Sequence, residues 1–141
     1  MTEALDSTLV EPVSGLTYRL RPAQKGQVAA PCLVLLHMPG AAAHASVGLT
    51  APQQVAGFGM LSGRILPEVL PLVQPGPALQ KVKAFVSHGV LDDKLGIHFG
   101  RNASQVLESY QVRLDYREYQ AGHALTMGMV TDFQQWLAAQ I

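Results

Sequence analysis

Three short apolar runs, each cut off by glycine, proline or histidine, set the strongest limit on what this chain can fold into. They are residues 32–37 (Cys-Leu-Val-Leu-Leu-His), 55–61 (Val-Ala-Gly-Phe-Gly-Met-Leu) and 84–87 (Ala-Phe-Val-Ser). A strand with one face in water alternates apolar and polar residues. A run that is apolar throughout reads as a strand covered on both faces, as in a parallel sheet between two layers of helix. Residues 112–119 alternate clearly, with Val112, Leu114 and Tyr116 against Arg113, Asp115 and Arg117, and residues 16–20 suggest a further edge strand. Between these runs lie helical stretches: an alanine-rich one at 41–49, one at 97–109, and one at 130–141 with Phe133, Trp136, Leu137 and Ile141 on one face. Met38-Pro39-Gly40 and Thr50-Ala51-Pro52 are breaks, and residues 67–77, with four prolines, read as irregular. Strands alternating with helices define an α/β fold: a mostly parallel sheet of four to five strands with helices on both faces. The 141 residues fit one domain, 1–141, with residues 1–15 as a loose tail.

Charge and cysteine usage narrow the functional classes. Ten basic and ten acidic residues give a net charge of zero, without the basic surface that nucleic acid requires. Charged residues are only 14% of the chain, so self-repulsion is weak and a homodimer or larger homo-oligomer is expected. The single cysteine, Cys32, excludes a disulfide within the chain and argues against a thiolate metal site. Among the five histidines no two share a helix face at ligand spacing, so neither a metal nor another cofactor is expected. The first fifteen residues lack the apolar core of a signal peptide, and no apolar run reaches membrane-spanning length. The expected setting is cytoplasmic.

In parallel α/β sheets, sites form at the carboxyl ends of strands. Three segments there have suitable composition: His37-Met38-Pro39-Gly40, residues 88–93 (His-Gly-Val-Leu-Asp-Asp), and Gln120-Ala121-Gly122-His123. His37 and His88 end strands and are expected to bond loop backbone. A carboxylate and an imidazole after two different strands can form an acid–base pair. The carboxylate fixes the tautomer of the histidine, which can then take a proton from a hydroxyl nucleophile. The alternative is that Asp92 caps the following helix and His123 is an ordinary loop residue.

The segment Ser87-His88-Gly89-Val90-Leu91-Asp92, then a helix, then a strand ending Tyr119-Gln120-Ala121-Gly122-His123, then an amphipathic helix, resembles the end of the carboxylesterase, acyl-thioesterase and phospholipase group of α/β-hydrolases. Residues 57–67, containing Leu61-Ser62-Gly63 and Pro67, resemble another segment of that group. The likeness runs over about residues 40 to 141, with a weaker match at 17–37. It implies that Asp92 is the acid and His123 the base of a catalytic triad, and that the reaction is hydrolysis of carboxylic esters or thioesters with small to medium acyl groups.

The chain departs from the group at the nucleophile. No Gly-x-Ser-x-Gly elbow occurs anywhere in it. The strand at 32–37 resembles the oxyanion strand, and residues 41–50 resemble the helix that follows the elbow. The two meet at His37, Met38 and Gly40, as though the elements between had been excised, and the methionine thioether cannot accept an acyl group. Ser62, which follows a strand, is the surrogate nucleophile best placed by topology. The alternative reading is an inactive remnant or minimal scaffold that oligomerises or binds an acyl ligand. Removing strands from a sheet leaves an apolar edge, which a second copy can cover.

Overall fold

Gly57-Phe58-Gly59-Met60-Leu61 cannot serve as an exposed strand, because it has no polar residue to place in water. In the structure, a computed structural model, it lies inside a parallel sheet and all five residues are buried. Residues 7–10, 17–20, 33–36 and 48–140 are described, with side chains for 48–140. The sheet contains, in spatial order, β3 (Leu33–Leu36), β4 (Gly57–Leu61), β5 (Lys83–Gly89) and β6 (Arg113–Tyr119), every neighbouring pair parallel. The register pairs Leu61 with Ser87 and Gly89 with Tyr119, so β4, β5 and β6 deliver their carboxyl ends to one rim.

Successive residues of β5 point to opposite faces, and the core divides accordingly. Ala84 and Val86, with Phe58 and Met60 of β4, pack with Ala103 and Leu107 of helix α2 (Ile97–Ser109). Phe85, with Leu61, packs with Met129, Phe133 and Trp136 of helix α3 (Met127–Ala138). Helices therefore cover both faces. On the α3 side the rings form a cluster, with centroids 5.6 Å apart for Phe85–Phe133 and 5.8 Å for Phe133–Trp136. Such pairs contribute about 0.5–1.5 kcal/mol beyond their buried area. Gly59 leaves room for this cluster: a Cβ there would meet the Phe133 ring directly, at 3.0 Å from Cζ.

Three local readings change. Residues 7–10, assigned to a tail, form strand β1 (Ser7–Val10), paired antiparallel with β2 (Thr17–Leu20). The Ser-Thr-Leu-Val stretch is partly β-branched, and pairing with a second short strand supplies its backbone hydrogen bonds. The proline-rich stretch 67–77 is irregular only at 73–76: a 3-10 helix, Pro67–Leu72, precedes that break and a short helix α1, Pro77–Lys81, follows it. Each begins with proline in its first turn, where the missing N–H removes a donor that would have no partner within the helix. Helix α3 begins at Met127, before the expected 130, because Thr126 caps it by accepting a hydrogen bond from Met129 N–H at 3.2 Å. The break after residue 50 and the helix at 97–109 fall where the sequence places them. Cys32 and His37, at the ends of the first apolar run, and most of the expected helix at 41–49 lie outside the described residues. Among the described residues, no helix is long and apolar enough to cross a membrane.

Candidate active site

Two loops leave the rim side by side, one after β5 and one after β6. Backbone hydrogen bonds join them: Val90 N–H donates to Tyr119 O at 2.9 Å, and Leu91 N–H to Ala121 O at 3.0 Å. Gly89 makes this approach possible. A Cβ on Gly89 would overlap the Ala121 carbonyl oxygen and come within 2.6 Å of that of Gly122. The glycine of His88-Gly89 is thus required by contact with the loop that carries His123.

The result of that contact is the Asp92–His123 pair. Asp92 Oδ2 lies 2.8 Å from His123 Nδ1. Its other oxygen, Oδ1, accepts from Lys94 N–H at 2.9 Å and Leu95 N–H at 2.8 Å, which fixes the carboxylate within its own loop. Asp92 does not cap α2, whose N-cap is Gly96, without a side-chain bond. The Asp92 side chain is fully buried, while that of His123 is 21% exposed. Burial, the largest influence on Asp92, pushes its carboxyl up. Hydrogen bonds from Leu95 N–H, His123 and Lys94 N–H together outweigh it and hold the carboxyl below the ordinary aspartate range. An ionised carboxylate only accepts, so Nδ1 of His123 carries the proton and Nε2 keeps its lone pair. Among the described residues nothing bonds that Nε2. A half-buried imidazole oriented by a buried carboxylate can accept a proton at Nε2 and return it.

A second histidine belongs to the same loop. His88 is fully buried at the end of β5, and its Nε2 is 2.6 Å from the Leu95 carbonyl, the loop-backbone bond expected of it.

Ser62 follows β4 at the same rim, its N–H donating to Ser87 O at 2.8 Å. It is a non-glycine residue at φ 55°, a left-handed conformation that costs energy and that surrounding contacts must maintain. It is only 2% exposed, and among the described residues its hydroxyl has no hydrogen-bond partner. His37, Met38 and Gly40 lie outside the described residues. Among the described residues no cluster of His, Cys, Asp and Glu is arranged to hold a metal ion.

The sequence does not announce the two ionic groups of β6, one toward α3 and one toward α2. Arg117 Nε donates to Asp115 at 2.9 Å, and its Nη1 is 3.3 Å from Asp132 of α3. Arg101 of α2 pairs with Glu118 at 2.8 Å, and Tyr116 donates to the same carboxylate at 2.9 Å. The dense run of charges within 113–118 is the available signal. Exposed pairs of this kind add little stability, and charges along an edge strand oppose pairing with another sheet.

The parallel sheet covered on both faces has an α/β-hydrolase fold, and solved structures of carboxylesterases and acyl-protein thioesterases superpose on this chain. The Bacillus cereus carboxylesterase matches with a TM-score of 0.67 at 17% identity, over 77% of this chain and 50% of its own. Zea mays acyl-protein thioesterase 2 matches with a TM-score of 0.71 at 15% identity, over 82% and 58%. Arabidopsis thaliana SOBER1 matches with a TM-score of 0.66 at 21% identity, over 77% and 52%. The chain thus spans about half the length of these structures. No protein-family model matches it. The fold is esterase-like, and the likeness is to the fold.

Proposed function

We propose that the chain is a hydrolase of carboxylic esters or thioesters that works through the Asp92–His123 pair. The observation that carries this reading is the 2.8 Å bond between a buried carboxylate and a half-buried imidazole, on a fold shared with carboxylesterases and acyl-protein thioesterases. His123 Nε2 takes a proton from water, or from the Ser62 hydroxyl, as the oxygen attacks the acyl carbonyl. The same proton then passes to the departing alkoxide or thiolate. If Ser62 attacks, an acyl-serine forms and a second water hydrolyses it by the same exchange. The left-handed backbone of Ser62 supports this role, since a nucleophile elbow is also a strained turn after a strand. Its burial requires the loop after β4 to shift before an acyl group reaches the hydroxyl. No cofactor enters this chemistry.

Two observations favour a second reading, a non-catalytic scaffold that binds an acyl ligand or a second copy of itself. No Gly-x-Ser-x-Gly segment is present. In addition, Leu91, Leu125 and Met127, which are 66%, 38% and 78% exposed, flank the pair in sequence and offer apolar surface beside it. Labelling with a fluorophosphonate probe followed by peptide mass spectrometry separates the two. Hydrolysis through serine predicts an adduct on Ser62 that His123→Ala abolishes. Hydrolysis through water predicts turnover of p-nitrophenyl acetate without an adduct. The scaffold predicts neither, together with a dimer or larger assembly in light scattering.

A further inference from the structure

His88 occupies a position that its surroundings would let an apolar residue fill. It points to the same face of β5 as Ala84 and Val86, is 0% exposed, and lies beneath α2. The helix passes so close that a Cβ on Gly100 would be 2.8 Å from His88 Cβ and 2.9 Å from Cγ. One ring nitrogen, Nδ1, has no hydrogen-bond partner among the described residues. The polar work of the ring is therefore done by Nε2 alone, 2.6 Å from the Leu95 carbonyl and 3.5 Å from Asp92 Oδ2. A carbonyl only accepts, so Nε2 is the protonated nitrogen of His88 and donates to it.

The peptide groups on either side of Leu95 link the two side chains. The Leu95 carbonyl is held by His88, and the Leu95 N–H donates to Asp92 Oδ1 at 2.8 Å. A chain of contacts runs from His88 through Leu95 to Asp92 Oδ1, and from Asp92 Oδ2 to His123 Nδ1. We propose that His88 is a positioning residue for this pair: by fixing Leu95 it closes the loop at 90–96 and holds the Asp92 carboxylate in line with His123. It does not touch the reacting atoms. Gly100 belongs to the same device, because only a residue without a side chain lets α2 press the imidazole against the loop. The proposal rests on the Asp92–His123 reading.

The test is imidazole NMR of the whole chain labelled with ¹⁵N, following the His123 Nδ1–H signal and tautomer. In the wild type that proton is expected as a single, slowly exchanging signal. His88→Leu keeps the apolar volume but removes the donor, and is expected to lose the signal while the chain stays folded by circular dichroism. His88→Gln, whose amide can donate to the Leu95 carbonyl, is expected to restore it. Gly100→Ala, which displaces the ring but leaves His88 in place, is expected to lose it. If His88→Leu does not fold, Gly100→Ala and His88→Gln decide the matter between them. Retention of the signal in His88→Leu or Gly100→Ala, or its loss in His88→Gln, overturns the positioning role and leaves the Asp92–His123 pair standing. Absence of the signal in the wild type overturns the pair and the proposal together.

Discussion

Replacing Asp92 by Asn tests the electrostatics of the site with almost no change in shape. One amide oxygen can still accept from Lys94 and Leu95 N–H, in place of Oδ1. The amide nitrogen then stands where Oδ2 was, 2.8 Å from His123 Nδ1, and two donors face each other. His123 must move its proton to Nε2, or the pair must separate. The variant also loses a hydrogen bond to a charged group, and such a bond contributes about 1.5–3 kcal/mol. We expect Asp92→Asn to be less stable than the wild type by about that amount at pH 7. The sign of the pH dependence follows from the carboxyl being held below its ordinary value of 3.8 when folded. Its stabilisation is fully present above the unfolded pKa and is lost as the pH falls through the folded one. Once protonated, the wild-type carboxyl resembles the amide. The gap between the two proteins should therefore be constant from pH 7 to about 5 and close below about 4. Urea denaturation of both proteins across this range measures it. A gap that does not change with pH, or an Asn variant as stable as the wild type at pH 7, would refute the reasoning.

Gly89→Ala places a methyl against the Ala121 and Gly122 carbonyls; we expect a loss of about 1–3 kcal/mol in urea unfolding, with the His123 Nδ1–H signal broadened or gone. Phe133→Ala opens the aromatic cluster beneath β5 and should cost about 3–5 kcal/mol by the same assay, without altering the His123 tautomer, since the ring partners of Phe133 are Phe85 and Trp136. Burial, followed by its 2.7 Å bond to the Asp132 carboxylate, pushes the Tyr119 phenol up to about 12. The difference in phenolate absorbance between wild type and Tyr119→Phe should rise near that pH, and nearer 10 in Asp132→Asn. Because the folded state retains this proton beyond the unfolded value of 10.0, the associated stability is complete below pH 10 and lost as the pH rises through about 12.

The elements that were legible in the sequence are those whose burial leaves a mark on residue type. Strand β4 has no polar residue to expose and β5 none between Lys83 and Ser87, and α2 repeats its buried residues Gly100, Ala103, Ser104 and Leu107 at helical spacing. The helices at 67–72 and 77–81 are hidden because proline reads as a breaker, whereas Pro67 and Pro77 stand in first turns, where no intrahelical bond is lost; Pro71 lies inside the 3-10 helix and Pro75 in the break. The start of α3 was missed because a side-chain cap, Thr126, sets it and apolar periodicity does not. Asp92 and His123 were legible through their motif alone, since 31 residues separate them in the chain and no local pattern links them. Most of what holds them together is backbone: the Leu95 peptide groups, the Leu91–Ala121 bond and the Ala121 and Gly122 carbonyls against Gly89. Backbone contacts leave no residue signature except where they require a glycine, and Gly89 and Gly100 are those traces.

The central claim is that His123, oriented by Asp92, acts as a base on an ester. The most direct measurement is the turnover of p-nitrophenyl acetate by the wild type beside His123→Ala, with both proteins shown to be folded. General acid–base catalysis contributes typically about 10²–10⁴-fold. We expect the wild type to hydrolyse the ester above the buffer rate and His123→Ala to lose at least about 100-fold of that excess. Equal rates in the two proteins, or no rate above buffer in the wild type, would contradict it.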